Sequence, residues 1–68
     1  MAIHEGDKVR LRSGATAWIS EVFGNGDVFI AEVLKKEGGV SIEQIELSEI
    51  SAKIVEVEQP VEQPFVSA

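Results

Sequence analysis

Sixty-eight residues form one domain at most, and a chain this short buries only about 60% of the surface it exposes when unfolded. It has no cysteine, which rules out a disulfide framework and any thiolate metal site, so stability must come from strand packing and association with other chains. The net charge is −6, from six basic and twelve acidic side chains, a balance that opposes the clustered positive surface needed for phosphate-backbone binding.

That charge is unevenly placed. Residues 1–36 carry five basic and five acidic groups, whereas 37–68 carry seven Glu and one cation, Lys53. No apolar run approaches the roughly 20 residues needed to cross a bilayer, and no basic stretch followed by an apolar one opens the chain. A soluble, cytoplasmic protein is expected.

Lys8 to Arg12 alternates strictly, with Val9 and Leu11 on one side and Lys8, Arg10 and Arg12 on the other, as a half-buried first strand requires. Ser13-Gly14 supplies turn chemistry. The second strand, Thr16 to Phe23, is rich in β-branched and aromatic residues, and Asn25-Gly26 suits the positive φ values of a hairpin turn. In the third strand, Val28 to Leu34, only Glu32 is polar. Phe29, Ala31 and Val33 therefore oppose an almost equally apolar set of Val28, Ile30 and Leu34, and both faces of this strand call for burial. A small barrel has one interior, so the second face needs a cover, either another subunit or the chain's own C-terminal segment.

Lys35 to Gly39 reads as a solvated hairpin loop. A fourth strand follows over Val40 to Ile45, with Val40, Ile42 and Ile45 expected inward. Leu47 and Ile50, three residues apart, place one short helical turn over Glu46 to Ile50, and Ala52 to Val57 completes five strands. Val57-Glu58-Gln59-Pro60 then repeats as Val61-Glu62-Gln63-Pro64. Two closely spaced prolines do not fit a central strand, so 3–58 is expected as a β-barrel domain and 59–68 as a disordered, acidic C-terminal tail. Phe65 and Val66 are the only residues in that tail suited to anchoring it.

Few residues suggest chemistry. His4 has no second histidine and no cysteine beside it, and it reads as a solvated terminal histidine. Ser13, Ser41 and Ser48 lack a base, since His4 is the one histidine. The glycines at 24, 26, 38 and 39 mark turns, because no helix that could hold an anion follows either pair. Paired acids such as Glu43 and Glu46 suit a solvated edge. Neither a catalytic set, nor a metal site, nor a cofactor is expected. The stripe of Lys8, Arg10 and Arg12, facing Trp18 when Ile19 points inward, is a candidate ligand or partner face, since aromatic rings beside cations serve as stacking platforms. A subunit contact built on Trp18, Phe29, Ala31 and Val33 is the stronger expectation, because interfaces are enriched in aromatics.

The positions Gly6, Asp7, Val9, Arg10, Ser13, Gly14, Ala15, Trp18, Gly38 or Gly39, Val40 and Ile42 resemble the plasmid-borne type II dihydrofolate reductases that confer trimethoprim resistance. The likeness covers residues 6–50, with Trp18 displaced by one residue. It implies an all-β, five-stranded SH3-like barrel and association as a homotetramer around a pore, lined here by Val40, Ser41, Ile42 and Glu43. Where that family has Val-Gln-Ile-Tyr this chain has Val-Ser-Ile-Glu, and the family's pore lysine falls on Leu11. Symmetry-related Glu43 carboxylates would repel the anionic folate and nicotinamide dinucleotide. The Gly-Asp-x-Val-x-Leu-x-Ser-Gly opening is also similar to small bacterial and phage-borne SH3-like proteins and to KOW-type barrels. The expected function is a non-enzymatic interaction module, partnered by itself or by another protein. A divergent reductase or nucleotide-binding tetramer is the first alternative, and nucleic-acid binding through the basic strand face is the second.

Overall fold

The computed structural model describes residues 2–55. The expected domain boundary at 58 and the tail over 59–68 lie outside them. Five strands are present, β1 (Lys8–Leu11), β2 (Thr16–Phe23), β3 (Val28–Leu34), β4 (Val40–Glu46) and β5 (Ile50–Ile54), with a 3-10 turn over Leu47–Glu49. All pair antiparallel in one sheet of order β4-β3-β2-β1-β5. The all-β expectation holds, and β2 and β3 keep their expected limits. The fifth strand starts at Ile50, two residues before the sequence pattern places it.

Residues directly opposite in antiparallel pairs share a face, so the register assigns every side chain. One face carries Val9 and Leu11 of β1, Ala17 and Ile19 of β2, Phe29, Ala31 and Val33 of β3, Ile45 of β4 and Ile50 of β5. All are buried, and Ile3 of the leader joins them. No helix or second sheet covers that face among the described residues. The sheet encloses the core by curling over it, and two register shifts supply the bend. One falls in β2 between Ile19 and Glu21, opposite β3, and the other in β5 at Ser51, opposite Arg10 and Leu11 of β1. At the first shift Ser20 is the extra residue. Ile19 and Val22 therefore both reach the core side, and Glu21 and Phe23 the other.

The connections are held by named contacts. Glu46 and Glu49 form a reciprocal capping box around the 3-10 turn, with the Glu46 N–H donating to Glu49 Oε2 at 3.0 Å. The Leu47 N–H donates to the Asp27 carbonyl (2.9 Å) and the Arg12 N–H to the Glu49 carbonyl (2.8 Å), tying the turn to both neighbouring loops. In the β2–β3 loop the Gly26 N–H closes on the Phe23 carbonyl at 3.1 Å. Gly24 sits at φ +64°, where a Cβ would come within 2.5 Å of Asp27 Oδ1. The positive φ favours glycine there, and a larger residue would also have to push the Asp27 carboxylate aside.

Candidate functional site

The face turned away from the core shows what the fold leaves to the outside. Paired residues form rows across it. Ile54, Lys8, Trp18, Glu32 and Ile42 make one row across all five strands. A second brings together Glu21, Ile30 and Gln44, and a third Phe23, Val28 and Glu46. Leu34 and Val40 face one another at the end of the β3–β4 hairpin. Phe23, Leu34, Val40 and Ile42 are large apolar side chains left 46%, 44%, 49% and 73% exposed. Val28 and Ile30 between them are half-buried. The result is an apolar surface over β2, β3 and β4, interrupted by Glu32 and flanked on the β1 side by cations.

This placement corrects two expectations. Phe29, Ala31 and Val33, put forward as interface residues, are interior, with exposures of 0%, 0% and 7%. The physical reason is Glu32. It shares the face of Val28, Ile30 and Leu34, and burying an unpaired carboxylate there would be costly, so the uninterrupted face turned in. Val40 and Ile42, expected inward, point outward. The Lys35–Gly39 loop, closed by the Lys35 N–H on the Gly39 carbonyl at 3.0 Å, sets Leu34 opposite Val40, and β4 pairs with β3 without a register shift. Ile45, of the other parity, meets Phe29 and is 2% exposed.

Trp18 lies on the outer face, half-buried, with Lys8 Nζ 5.7 Å from its ring centroid. A cation at that distance is within reach of the ring quadrupole. Arg10 is opposite Thr16 and exposed. Arg12 departs from the expected stripe. Its Nε donates to the Ser48 carbonyl at 2.7 Å, so its guanidinium holds the 3-10 turn. Of the four residues proposed to line a pore, Val40 and Ile42 occupy the outer face. Ser41 and Glu43 occupy the other side of the same edge strand, where Ser41 Oγ donates to Glu43 Oε2 at 2.6 Å.

No family model, curated protein or solved structure matches the chain.

Among the described residues no group of three or more His, Cys, Asp or Glu side chains is placed to hold a metal ion, and no helix is long and apolar enough to cross a membrane. The most ordered polar cluster lies at the opposite end of β1 from the Ser13-Gly14 turn. There Asp7 Oδ2 accepts the His4 backbone N–H at 2.8 Å and meets Lys53 Nζ at 3.3 Å, with His4 Nδ1 at 3.8 Å. The backbone donor of His4 chiefly, with help from Lys53, holds the Asp7 carboxyl below its usual range, against a smaller opposing effect of burial. Lys53 also donates to the Ala2 carbonyl at 3.3 Å. This cluster fastens the leader to β5, and its one histidine bonds Asp7 through the backbone N–H, with the ring nitrogen 3.8 Å away. The sequence did not mark it, because Asp7 and Lys53 are brought together only by the β1–β5 pairing.

A shallow groove of about 540 Å³ opens at the far end of the sheet, between the Ser13–Thr16 turn and Leu34–Lys36. Its floor includes Ala15 and Leu34, and two lysines stand on one side.

Proposed function

We propose that this protein is a non-enzymatic interaction module that self-associates or docks on a protein partner through the outer face of β2, β3 and β4. The observation that carries the proposal is the set of Phe23, Leu34, Val40 and Ile42, left exposed on three adjacent strands and linked by half-buried Trp18, Val28 and Ile30 around Glu32. Contiguous exposed apolar surface on a small chain marks a contact site, and here it stands beside Lys8 and Arg10 on one flank and Glu21 and Glu46 on another. That arrangement gives a partner orientation as well as apolar contact. The module is read as an SH3-like barrel on its strand order and the 3-10 turn between β4 and β5.

Light scattering coupled to size exclusion on the full chain tests the self-association arm. A dimer or larger species is expected at high micromolar concentration, with Trp18 emission shifted to the blue on assembly. The double variant Leu34→Glu, Ile42→Glu is expected to run as a monomer with unchanged far-ultraviolet circular dichroism. A wild-type monomer with the emission of a fully wet indole, unaltered by that double substitution, overturns it.

A further inference from the structure

The groove beside the Ser13–Thr16 turn adjoins the apolar face, sharing Leu34 with it, and adds cations. Thr16, on one wall, is directly opposite Arg10 in the β1–β2 pairing. Lys35 and Lys36 stand on the other wall. Leu34, 44% exposed, and Ala15 supply an apolar floor. The carboxylate beside these cations, Glu37, meets Lys35 Nζ only at 3.9 Å, and both side chains are well exposed. Such a pair contributes little and yields readily to a better-placed acid. Two lysines lining the groove, with Arg10 on the strand next to Thr16, suit an acidic peptide that carries a large apolar side chain.

The chain itself contains such a peptide. Beyond the described residues, 56–68 hold Glu56, Glu58 and Glu62, no basic residue, and the one aromatic of the segment, Phe65. Ile54, near the start of this segment, is paired with Lys8. From there the groove lies across three strand spacings, about 14 Å, and a few residues along β1, about 10 Å more. Glu62 is eight residues past Ile54 and Phe65 eleven, giving maximal spans of about 26 Å and 36 Å at roughly 3.3 Å per residue. Both reach with slack enough for a bend at Pro60.

We infer that the groove between the Ser13–Thr16 turn and Leu34–Lys36 binds the C-terminal segment of the same chain, with Phe65 on the Leu34 floor and Glu62 among Arg10, Lys35 and Lys36. The segment crosses the Lys8 and Arg10 flank on its way, so Glu58 passes cations before Glu62 meets the rim. Docking there covers Leu34, one member of the outer apolar face, and leaves Ile42 and Phe23 open. Because Leu34 is shared, a second copy seated on that corner of the face competes with the segment, whereas one seated on Phe23 and Ile42 leaves the groove free.

Because the chain has no cysteine, a single Ser67→Cys substitution carries a nitroxide at one defined point. The full chain so labelled, enriched in nitrogen-15 and diluted into an excess of unenriched, unlabelled wild type, reports contacts made within one molecule. Selective broadening of the amide signals of Ser13–Thr16 and Leu34–Lys36 is expected, relieved on reducing the nitroxide. Phe65→Ala in the labelled chain is expected to lower the ratio of docked to undocked segment about tenfold, since it removes the one large apolar contact. Lys35→Glu, Lys36→Glu is expected to abolish the broadening, with the remaining amide signals in place as evidence of folding. Broadening confined to residues near Ile54 and the leader overturns the inference. So does broadening that appears only when labelled chain is mixed with enriched wild type, which assigns the groove to a neighbouring copy. The mass of the full chain by light scattering is read separately, so the failure of this contact and the failure of the outer-face proposal remain distinguishable.

Discussion

Replacing Phe29 with alanine and, in a second variant, Ile42 with alanine tests the assignment of the two sheet faces. Phe29 is fully buried and Ile42 is 73% exposed, although both are large apolar residues on adjacent strands. Phe-to-Ala substitutions in a core cost about 3–5 kcal/mol through lost transfer energy and the cavity left behind. At roughly 0.05–0.15 kcal/mol per residue, a chain of this length has a total stability of about 3–10 kcal/mol. Phe29→Ala is therefore expected to remove from about a third to all of it. Ile42→Ala is expected to cost under about 0.5 kcal/mol, as for surface positions generally. Urea titration followed by Trp18 fluorescence reads both. With a slope of about 1 kcal/mol/M, the midpoint falls by about 3 M or more for Phe29→Ala and by less than about 0.5 M for Ile42→Ala. Repeating the Ile42→Ala titration at low and high micromolar protein separates folding from association, because a cost that grows with concentration belongs to the interface. A large, concentration-independent cost at Ile42, or a midpoint for Phe29→Ala close to wild type, would refute the inward parity assigned to β3 and β4.

Three further outcomes follow from single contacts. The folded-state pKa of Asp7 lies below its unfolded value, so its contribution to stability is fully present above the unfolded carboxyl pKa of about 3.9 and is lost as pH falls through the folded one. Asp7→Asn is expected to cost under about 1 kcal/mol at pH 7 and to show a shallower loss of stability below pH 4 than wild type in acid denaturation; identical slopes would contradict the role of its contacts. Gly24→Ala is expected to cost about 1–2 kcal/mol from its positive φ, plus the clash with Asp27 Oδ1; adding Asp27→Ala relieves the clash alone, and a thermal melt showing no relief would place the strain elsewhere. Arg12→Met keeps the apolar stem but loses the bond to the Ser48 carbonyl, so about 0.5–1.5 kcal/mol of stability is expected to go, with faster amide exchange at Glu49 and Ile50; unchanged exchange there would count against the anchor.

Much of the strand pattern was legible because alternation and turn residues are local signals. β2 and β3 fall where Thr16 to Phe23 and Val28 to Leu34 are bracketed by Ser-Gly and Gly-Asn-Gly-Asp. Orientation was legible where polar and apolar residues alternate, as Val9 and Leu11 against Lys8 and Arg10 show. In β3 the deciding residue, Glu32, was visible in sequence and was outweighed by the bulk of Phe29 as an interface anchor. For β4 the information was not local. Val40 and Ile42 alternate as an inward strand would, and only the length of the Lys35–Gly39 loop, which fixes Leu34 opposite Val40, turns them out. Ser20 gave no sign of the extra residue it contributes to β2. Arg12 matched the basic stripe in spacing, yet it bonds a carbonyl 36 positions away. Contacts at that separation belong to the assembled sheet. The groove at Ser13–Thr16 and Leu34–Lys36 joins two turns that are distant in sequence for the same reason.

The Asp7 cluster ties together segments that the chain presents last and first. Lys53 of β5 bonds both Asp7 and the Ala2 carbonyl, Ser51 Oγ donates to the Arg10 carbonyl, and the Gly6 N–H donates to the Ile19 carbonyl. Buried Ile3 is set over the core by the same segment. β5 therefore cannot peel from β1 without uncovering Ile3, and the leader cannot lift without releasing Lys53. In native-state hydrogen exchange the two are expected to behave as one opening unit, so a tag or fusion that pulls the leader away is expected to free the strand that precedes residues 56–68 as well.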